Sequence, residues 1–130
     1  MEEALIAFLL ADSGLTALVG TRVSYAVNQQ GAPLPRVTIL PVSRVPGYAD
    51  DGEAGLTEAR LQIDIYASSL AAAREIAAAV FARLSAVSAV ISGVDFQTIE
   101  LLDEDASFEA LTDGDQPYRV RQDYLIWHNA

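Results

Sequence analysis

The side chains with the clearest chemical potential are one histidine and several groups of carboxylates. His128 stands at the end of a β-rich stretch, which favours a strand-end histidine over a general base, and no serine sits in a nucleophile elbow. The chain has no Cys, which excludes thiolate nucleophiles, disulfides and zinc–thiolate sites. No glycine-rich run follows a strand, as phosphate loops require. The sequence nominates no catalytic or cofactor-binding residue, so we predict that the protein is not an enzyme and needs no cofactor.

The carboxylates concentrate in two segments. The first contains Asp50, Asp51 and Glu53, and the second contains Asp103, Glu104, Asp105, Glu109, Asp113 and Asp115. Carboxylate oxygens bind Ca²⁺ well, but the spacing in the second segment differs from that of the D-x-[DN]-x-[DN]-G loop. We therefore predict two solvated acidic hairpin tips and no metal site.

The charge balance argues against nucleic acid as a specific ligand. The chain has 18 acidic residues and 8 basic ones, for a net charge of −10. All eight bases are arginines scattered through the sequence, whereas duplex binding needs clustered cations. The apolar runs are far shorter than the ~20 residues of a membrane helix, and Glu2 and Glu3 stand where a secretory signal carries positive charge. We expect a soluble protein made in the cytoplasm.

Hydrophobic periodicity predicts a single α+β domain over residues 1–130. An amphipathic helix runs from Glu2 to about Ala11, and a second turn, Leu15–Val19, ends at Gly20. Strands are predicted at Val23–Val27, Arg36–Val42, Leu56–Tyr66, Val94–Leu102 and Tyr118–Trp127. Asn28–Pro35 and Ser88–Gly93 are expected to be loops. We expect an antiparallel or mixed sheet of about four strands with two helices packed on one face.

The most regular segment is a strand followed by a helix, residues 60–84. Leu61, Ile63 and Ile65 alternate with polar residues, which is typical of a strand with one buried face. Among these polar residues, Asp64 is expected to pair with Arg60, Arg119 or Arg121. Ser68 or Ser69 is placed to cap the helix that follows. Its predicted buried stripe is Leu70, Ala73, Ile76, Ala77, Val80, Phe81 and Leu84.

The opposite side of this helix is rich in alanine, which is explained either by helix propensity or by packing against a neighbouring subunit. Two further segments connect predicted strands. Arg44–Gly55 is predicted to be a mobile loop or a hairpin tip, and Asp103–Pro117 is predicted to be the long tip of a hairpin. The second has fifteen residues, and loops of that length are commonly functional.

Four blocks, taken in order, resemble a known family. They are "ALIAFLLADSGLTALVGTRV" (4–23), "GAPLPRVTI" (31–39), "RLQIDIYASSLAAAREIAAAV" (60–80) and "YRVRQDYLIWH" (118–128). Together they are similar to the tail-completion or tail-terminator proteins of long-tailed phages, prophages and gene transfer agents. The resemblance covers almost the whole chain.

The resemblance implies a structural protein located in the virion neck, at the head–tail junction, and assembled in the host cytoplasm. It implies a homohexameric ring on the head-proximal end of the tail tube, which stops tube elongation and presents a surface to the head connector. The expected partners are thus other copies of the chain, the tail tube protein and a connector or stopper protein. DNA would pass through the lumen without specific binding, because a ring of six such acidic chains repels phosphates.

In such a ring the two acidic segments would be docking arms. The residues expected to contact partners are Arg44, Tyr48, Asp50, Asp51 and Glu53 in the first segment, and Asp103, Glu104, Asp105, Phe108, Glu109, Asp113 and Asp115 in the second.

Two other functions remain open on the sequence. The protein could be a connector or stopper subunit of the same neck, since small α+β neck proteins share this pattern. It could also be an acidic DNA mimic that inhibits a nucleic-acid enzyme, an interpretation supported by charge alone. A hydrolase ranks last because no pair of nucleophile and base can be nominated.

Overall fold

The computed structural model describes residues 2–25, 34–49, 52–85, 87–108 and 118–129, and the account below concerns these residues. Three helices and six strands lie within them. In chain order they are α1 (Glu2–Leu10), α2 (Ser13–Val19), β1 (Val23–Tyr25), β2 (Arg36–Ala49), β3 (Gly52–Ala67), α3 (Leu70–Leu84), β4 (Ala89–Ile91), β5 (Val94–Phe108) and β6 (Tyr118–Asn129).

The strands form one mixed sheet in the order β1-β2-β3-β6-β5-β4. Only β1 runs parallel to its neighbour, β2, and the other pairs are antiparallel. The α+β class is confirmed, but the expectation of about four strands and two helices is wrong. Two of the six strands, β1 and β4, have three residues each and form short edges, and α2 is a helix in its own right.

Part of the predicted Ser88–Gly93 loop is β4. It turns tightly into β5 at Ser92 and Gly93, whose φ angles are 50° and 82°. Three residues are too few for an alternating pattern to identify a strand.

The long strands extend well beyond their predicted ends. The segment 44–55 is mostly strand, because β2 and β3 pair as far as Ala49 and Gly52. Likewise β5 continues through Asp103 to Phe108. The register of β2 against β3 shifts between Pro41 and Ser43 and again between Pro46 and Tyr48. Bulges of this kind let a strand pass a proline, so Pro41 and Pro46 lie at irregularities within β2 and do not end it.

The helices cover one face of the sheet, and the hydrophobic core lies between the helices and the sheet. Along β3 the residues Leu61, Ile63 and Ile65 are buried, as the alternation predicted. The facing residues of β6, Val120, Tyr124 and Ile126, are buried with them. Since these central strands supply alternate apolar side chains to one layer, the opposite side of the sheet, called the open face below, carries the polar residues.

Helix α3 lies on β3, β5 and β6. Ser69 caps it, because its hydroxyl accepts a hydrogen bond from the backbone N–H of Ala72 at 3.1 Å. Five residues of the predicted stripe are buried, but Leu70 and Phe81 at its margin are 38% and 39% exposed. Within the described residues no helix is both long and apolar enough to cross a membrane.

Helix α1 is tied to α3 by one arginine. The guanidinium of Arg83 lies 3.8 Å from the centre of the Phe8 ring, and its Nε donates to the Phe8 carbonyl oxygen at 3.0 Å. This contact combines a cation–π interaction with a hydrogen bond at the end of α1. It fixes α1 against the end of α3.

Candidate functional site

The hairpins that contain the two predicted docking segments extend toward opposite ends of the sheet. The β2–β3 hairpin extends beyond Thr57, the first β3 residue that pairs with β6. The β5–β6 hairpin points the other way, because Tyr118 at the start of β6 pairs with both Ala67 and Phe108. The fold therefore places the ends of the two hairpins a sheet length apart, whereas Arg44 and Asp103, where the segments begin, lie much closer to each other in height.

The predicted contact residues divide into three groups. Arg44, Asp103, Glu104 and Asp105 are exposed residues on strands. Tyr48, Glu53 and Phe108 belong to the strands of the two hairpins. Asp50, Asp51, Glu109, Asp113 and Asp115 lie outside the described residues.

The open face is concave. A cavity of about 380 Å³ lies on it and reaches from the bulged part of β2 across β3 and β6 to the bulged part of β5. Its lining residues are Val42, Arg60, Leu61, Gln62, Leu102, Asp103, Arg121 and Asp123. Because Val42 and Leu102 are on strands separated by two others and line the same cavity, the sheet must curl around this face.

Ion pairs cross the floor of the open face. Arg119 contacts Asp64 through both Nε and Nη2, at 2.9 and 2.8 Å from Oδ1. The other carboxylate oxygen of Asp64 accepts from Gln62 Nε2 at 3.0 Å. Of the three arginines predicted as partners of Asp64, the structure thus selects Arg119. Arg121 instead contacts Asp105 at 2.6 Å.

Apolar side chains flank this charged floor on both sides. On β2, Leu40, Val42 and Val45 are 41%, 56% and 57% exposed, and we call these three residues the β2 rim. On β5, Leu102 is 46% exposed. The sequence patterns missed these residues as surface features because alternation does not show which apolar side chains a neighbouring layer leaves uncovered, and Val45 lies beyond the predicted end of its strand. The remaining signal was the unusual pairing of valines with prolines at 41–46.

A groove runs along β5 on the helix side. It has a volume of about 520 Å³ and is lined by Phe81, Ser85, Thr98, Ile99, Glu100 and Leu101. We call it the β5 groove. Phe81 borders it, which explains why this residue of the predicted core stripe remains exposed. The groove lies beside the part of β5 that β4 does not pair.

A buried polar network holds β5 and β6 to α3. Gln122, fully buried, donates through Nε2 to the Ala77 carbonyl oxygen at 3.0 Å and to Glu104 Oε1 at 2.8 Å. Its Oε1 accepts from the Tyr124 hydroxyl at 2.8 Å. Burial, and to a lesser extent the Glu104 carboxylate, raises the pKa of Tyr124 above its usual value. Glu104, predicted as a docking residue, therefore has a structural contact on the helix side.

Within the described residues, no group of three or more His, Cys, Asp or Glu side chains is arranged to hold a metal ion. His128 is 2% exposed and packs beside Phe96, with 6.1 Å between ring centres. The surface features described above are thus two separated hairpins, the curved and charged open face, the apolar β2 rim and the β5 groove. Surfaces of this kind serve association with other proteins.

The family comparison agrees with this surface. The model of the family described as tail completion protein gp17 matches residues 3–129. The chain belongs to this tail completion family. Members are structural proteins of virions, so the chain is a structural, tail-related virion protein and not an enzyme, as the sequence predicted.

One similar solved structure is described as "Virion of native gene transfer agent (GTA) particle". The chain is 24% identical to it, with a TM-score of 0.78 and coverage of 100% of this chain and 95% of that one. At this identity the likeness establishes a shared fold over the full length. Among curated proteins, none matches the chain. Membership in the tail completion family places the chain among virion tail components that associate with other tail and head proteins.

Proposed function

We propose that this tail completion protein forms a homohexameric ring on the head-proximal end of a tail tube, at the neck of the particle. The ring stops tube elongation and joins the tail to the head connector. The observation that carries the proposal is the placement of two hairpins at opposite ends of one curved sheet. A subunit with this shape presents one docking end to the tube and the other to the connector.

The charge of the chain supports a passage for DNA. The net charge is −10, and a closed ring places six such chains around one lumen. Acidic walls repel phosphates, so DNA moves through the ring without being held. Assembly takes place in the host cytoplasm, before the head and tail join.

The test uses the full-length protein, alone and with purified tail tubes. We expect native mass spectrometry or negative-stain images to reveal six-subunit rings, free or at one end of each tube. Protein that remains monomeric at every concentration and leaves tube ends bare would refute the proposal.

The two docking ends are tested separately with matched variants. Asp50→Asn with Asp51→Asn changes the sequence between β2 and β3, and Asp113→Asn with Asp115→Asn changes the sequence between β5 and β6, by the same charge. We expect one pair to reduce tube binding and the other to reduce head joining, measured by particle assembly. Equal effects of both pairs on both steps would contradict a two-ended docking role.

A stopper or connector subunit of the same neck is the second candidate, because the same two-ended shape suits it. Position decides between them: a terminator lies directly on the tube, and a stopper lies one layer nearer the portal. A DNA mimic is less well supported. Acids on the open face alternate with Arg119 and Arg121 and form ion pairs, whereas mimicry requires an unbroken line of carboxylates.

A further inference from the structure

We infer that the β2 edge of one copy, which carries the β2 rim, packs against the β5 edge of the next copy, which carries the β5 groove, so that opposite edges of the same sheet form the contact between subunits. This inference rests on the proposed ring and assigns the surfaces that build it. The partner on each surface is a second copy of this chain.

Among the residues that the structure describes, both surfaces lie beside stretches of strand that have a neighbour on one side only. β1 pairs with β2 only at Val37–Ile39, and β4 pairs with β5 only at Val94–Phe96. Within the described part of the chain, residues 40–49 of β2 and 97–108 of β5 therefore have a partner strand on one side only. These two stretches lie on opposite sides of the described sheet.

Strand direction is compatible with this contact. The four long strands β2, β3, β6 and β5 alternate in direction across the sheet. β5 of one copy consequently runs antiparallel to β2 of a copy placed beside it in the same orientation. Pro41 and Pro46 have no N–H to donate, so we expect side-chain packing between the edges and not an uninterrupted ladder.

The two surfaces also lie at the same height. Followed through β3 and β6, the register places Val45 level with Thr98. It likewise places Ser43 level with Glu100. A closed ring has no rise from one copy to the next, so residues at equal height along the ring axis are the ones that meet.

The chemistry of the two surfaces is complementary. On the open face the β2 rim offers branched apolar side chains beside the exposed Leu102 of β5, and on the helix side the β5 groove, lined in part by Phe81, offers a space of about 520 Å³ to the outer side of β2. Arg60, one strand inside the rim, is exposed and makes no ion pair within the described residues. The exposed Glu100 and Asp103 lie on the β5 side. Because these opposite charges lie at similar heights, they favour a contact between β2 of one copy and β5 of the next over a contact between two β2 edges or two β5 edges.

The curvature of the sheet favours closure. Contacts between opposite edges of a subunit repeat head to tail, and they close into a ring when each copy turns by the same angle. The open face is concave, so successive copies turn in one direction. The contact therefore builds a ring and not a flat sheet.

Engineered disulfides test the contact directly, because the chain has no native Cys. The test variant is Val45→Cys with Thr98→Cys, oxidised at the concentration at which rings form and also on tail tubes. Within one copy these positions are three strand spacings apart, ~14 Å along the sheet, too far for an internal disulfide. We expect a ladder of covalent oligomers up to the size of the ring.

The matched control is Val45→Cys with Ser107→Cys, in which the second cysteine is on the same strand at a different height. Ser107 is level with Arg36, roughly 25–30 Å along β2 from Val45. We expect this variant and both single-cysteine variants to give no species larger than a dimer. A ladder from the control as strong as that from the test pair would overturn the inferred alignment.

Charge reversal provides a second measurement. We expect Arg60→Glu to weaken self-association on the order of tenfold, and the added change Glu100→Arg to restore it. Rings that form normally but give no ladder with the test pair and no response to charge reversal would overturn the inference and leave the proposed function intact. Absence of rings both in solution and on tubes would overturn the proposed ring, and with it the inference.

Discussion

The buried network around Gln122 permits a quantitative prediction of stability. Gln122→Met keeps the volume of the side chain but removes both hydrogen bonds that tie it to Ala77 and Tyr124. The Tyr124 hydroxyl is left buried without its acceptor, which costs about 1–3 kcal/mol, and the lost bond to Ala77 adds about 1 kcal/mol. The contact with Glu104 counts little, since that carboxylate is exposed and regains water.

We therefore expect Gln122→Met to lower the free energy of unfolding by about 2–4 kcal/mol. For a domain of this size this corresponds to a decrease in Tm of roughly 8–16 °C. Urea denaturation and calorimetry at one fixed protein concentration measure both quantities, since self-association shifts apparent stability. The exposed control Gln97→Met should change stability by less than about 0.5 kcal/mol.

A double-mutant cycle identifies the cause of the loss. Adding Tyr124→Phe to Gln122→Met removes the orphaned hydroxyl, so we expect the double variant to recover about 1–2 kcal/mol relative to Gln122→Met alone. The hydrogen-bond reasoning is wrong if Gln122→Met lowers the free energy of unfolding no more than the exposed control does. It is also wrong if Tyr124→Phe destabilises the Gln122→Met variant as much as it destabilises the unaltered protein.

Three further predictions concern other contacts. Because the pKa of Tyr124 is raised in the folded state, the Tyr124 hydroxyl loses its proton first in the unfolded chain, at about pH 10, so the free energy of unfolding should decline above that pH. The urea midpoint should therefore fall between about pH 9 and 11, and it should fall less in Tyr124→Phe. Ser69→Ala should cost about 1 kcal/mol through loss of the helix cap, while Ser68→Ala, whose side chain makes no cap bond, should have almost no effect in thermal melts. Asp64→Asn should lower the free energy of unfolding by about 1–3 kcal/mol, measured by urea denaturation, because it weakens the part-buried contact with Arg119. Asp105→Asn should lower it by less than about 1 kcal/mol, because the ion pair with Arg121 is more exposed.

The strand–helix unit at 60–84 shows how far pattern reasoning reaches. The alternation along β3 was confirmed, as was the cap at one of the two predicted serines, because both depend on residues close in sequence. The choice of Arg119 as the partner of Asp64 was left open, since it requires the register between β3 and β6. Leu70 and Phe81 were wrongly expected to be buried, because helical spacing alone does not indicate how far the sheet extends beneath a helix.

The hairpins show where pattern reasoning fails. Prolines such as those at 41 and 46, and acids such as those at 103–105, are uncommon inside strands, and the predicted strands stopped at Val42 and Leu102. In the structure the bulged strands continue, because pairing with β3 and β6 compensates for poor local propensity. Within the β2 rim only Val45 lies in such a continuation, and the β5 groove depends on how α3 packs beside β5, so no local pattern could identify these surfaces.

By itself the sequence determined the α+β class, the main strand–helix unit, the lack of a nominated reactive centre and the resemblance to tail completion proteins. These depend on periodicity, composition and the order of blocks along the chain. The tertiary structure alone decided that the two acidic hairpins extend to opposite ends, that the sheet is concave and that, among the described residues, the one-sided stretches of β2 and β5 are level with each other. Those properties arise from strand register and curvature, which are set by contacts between residues far apart in sequence.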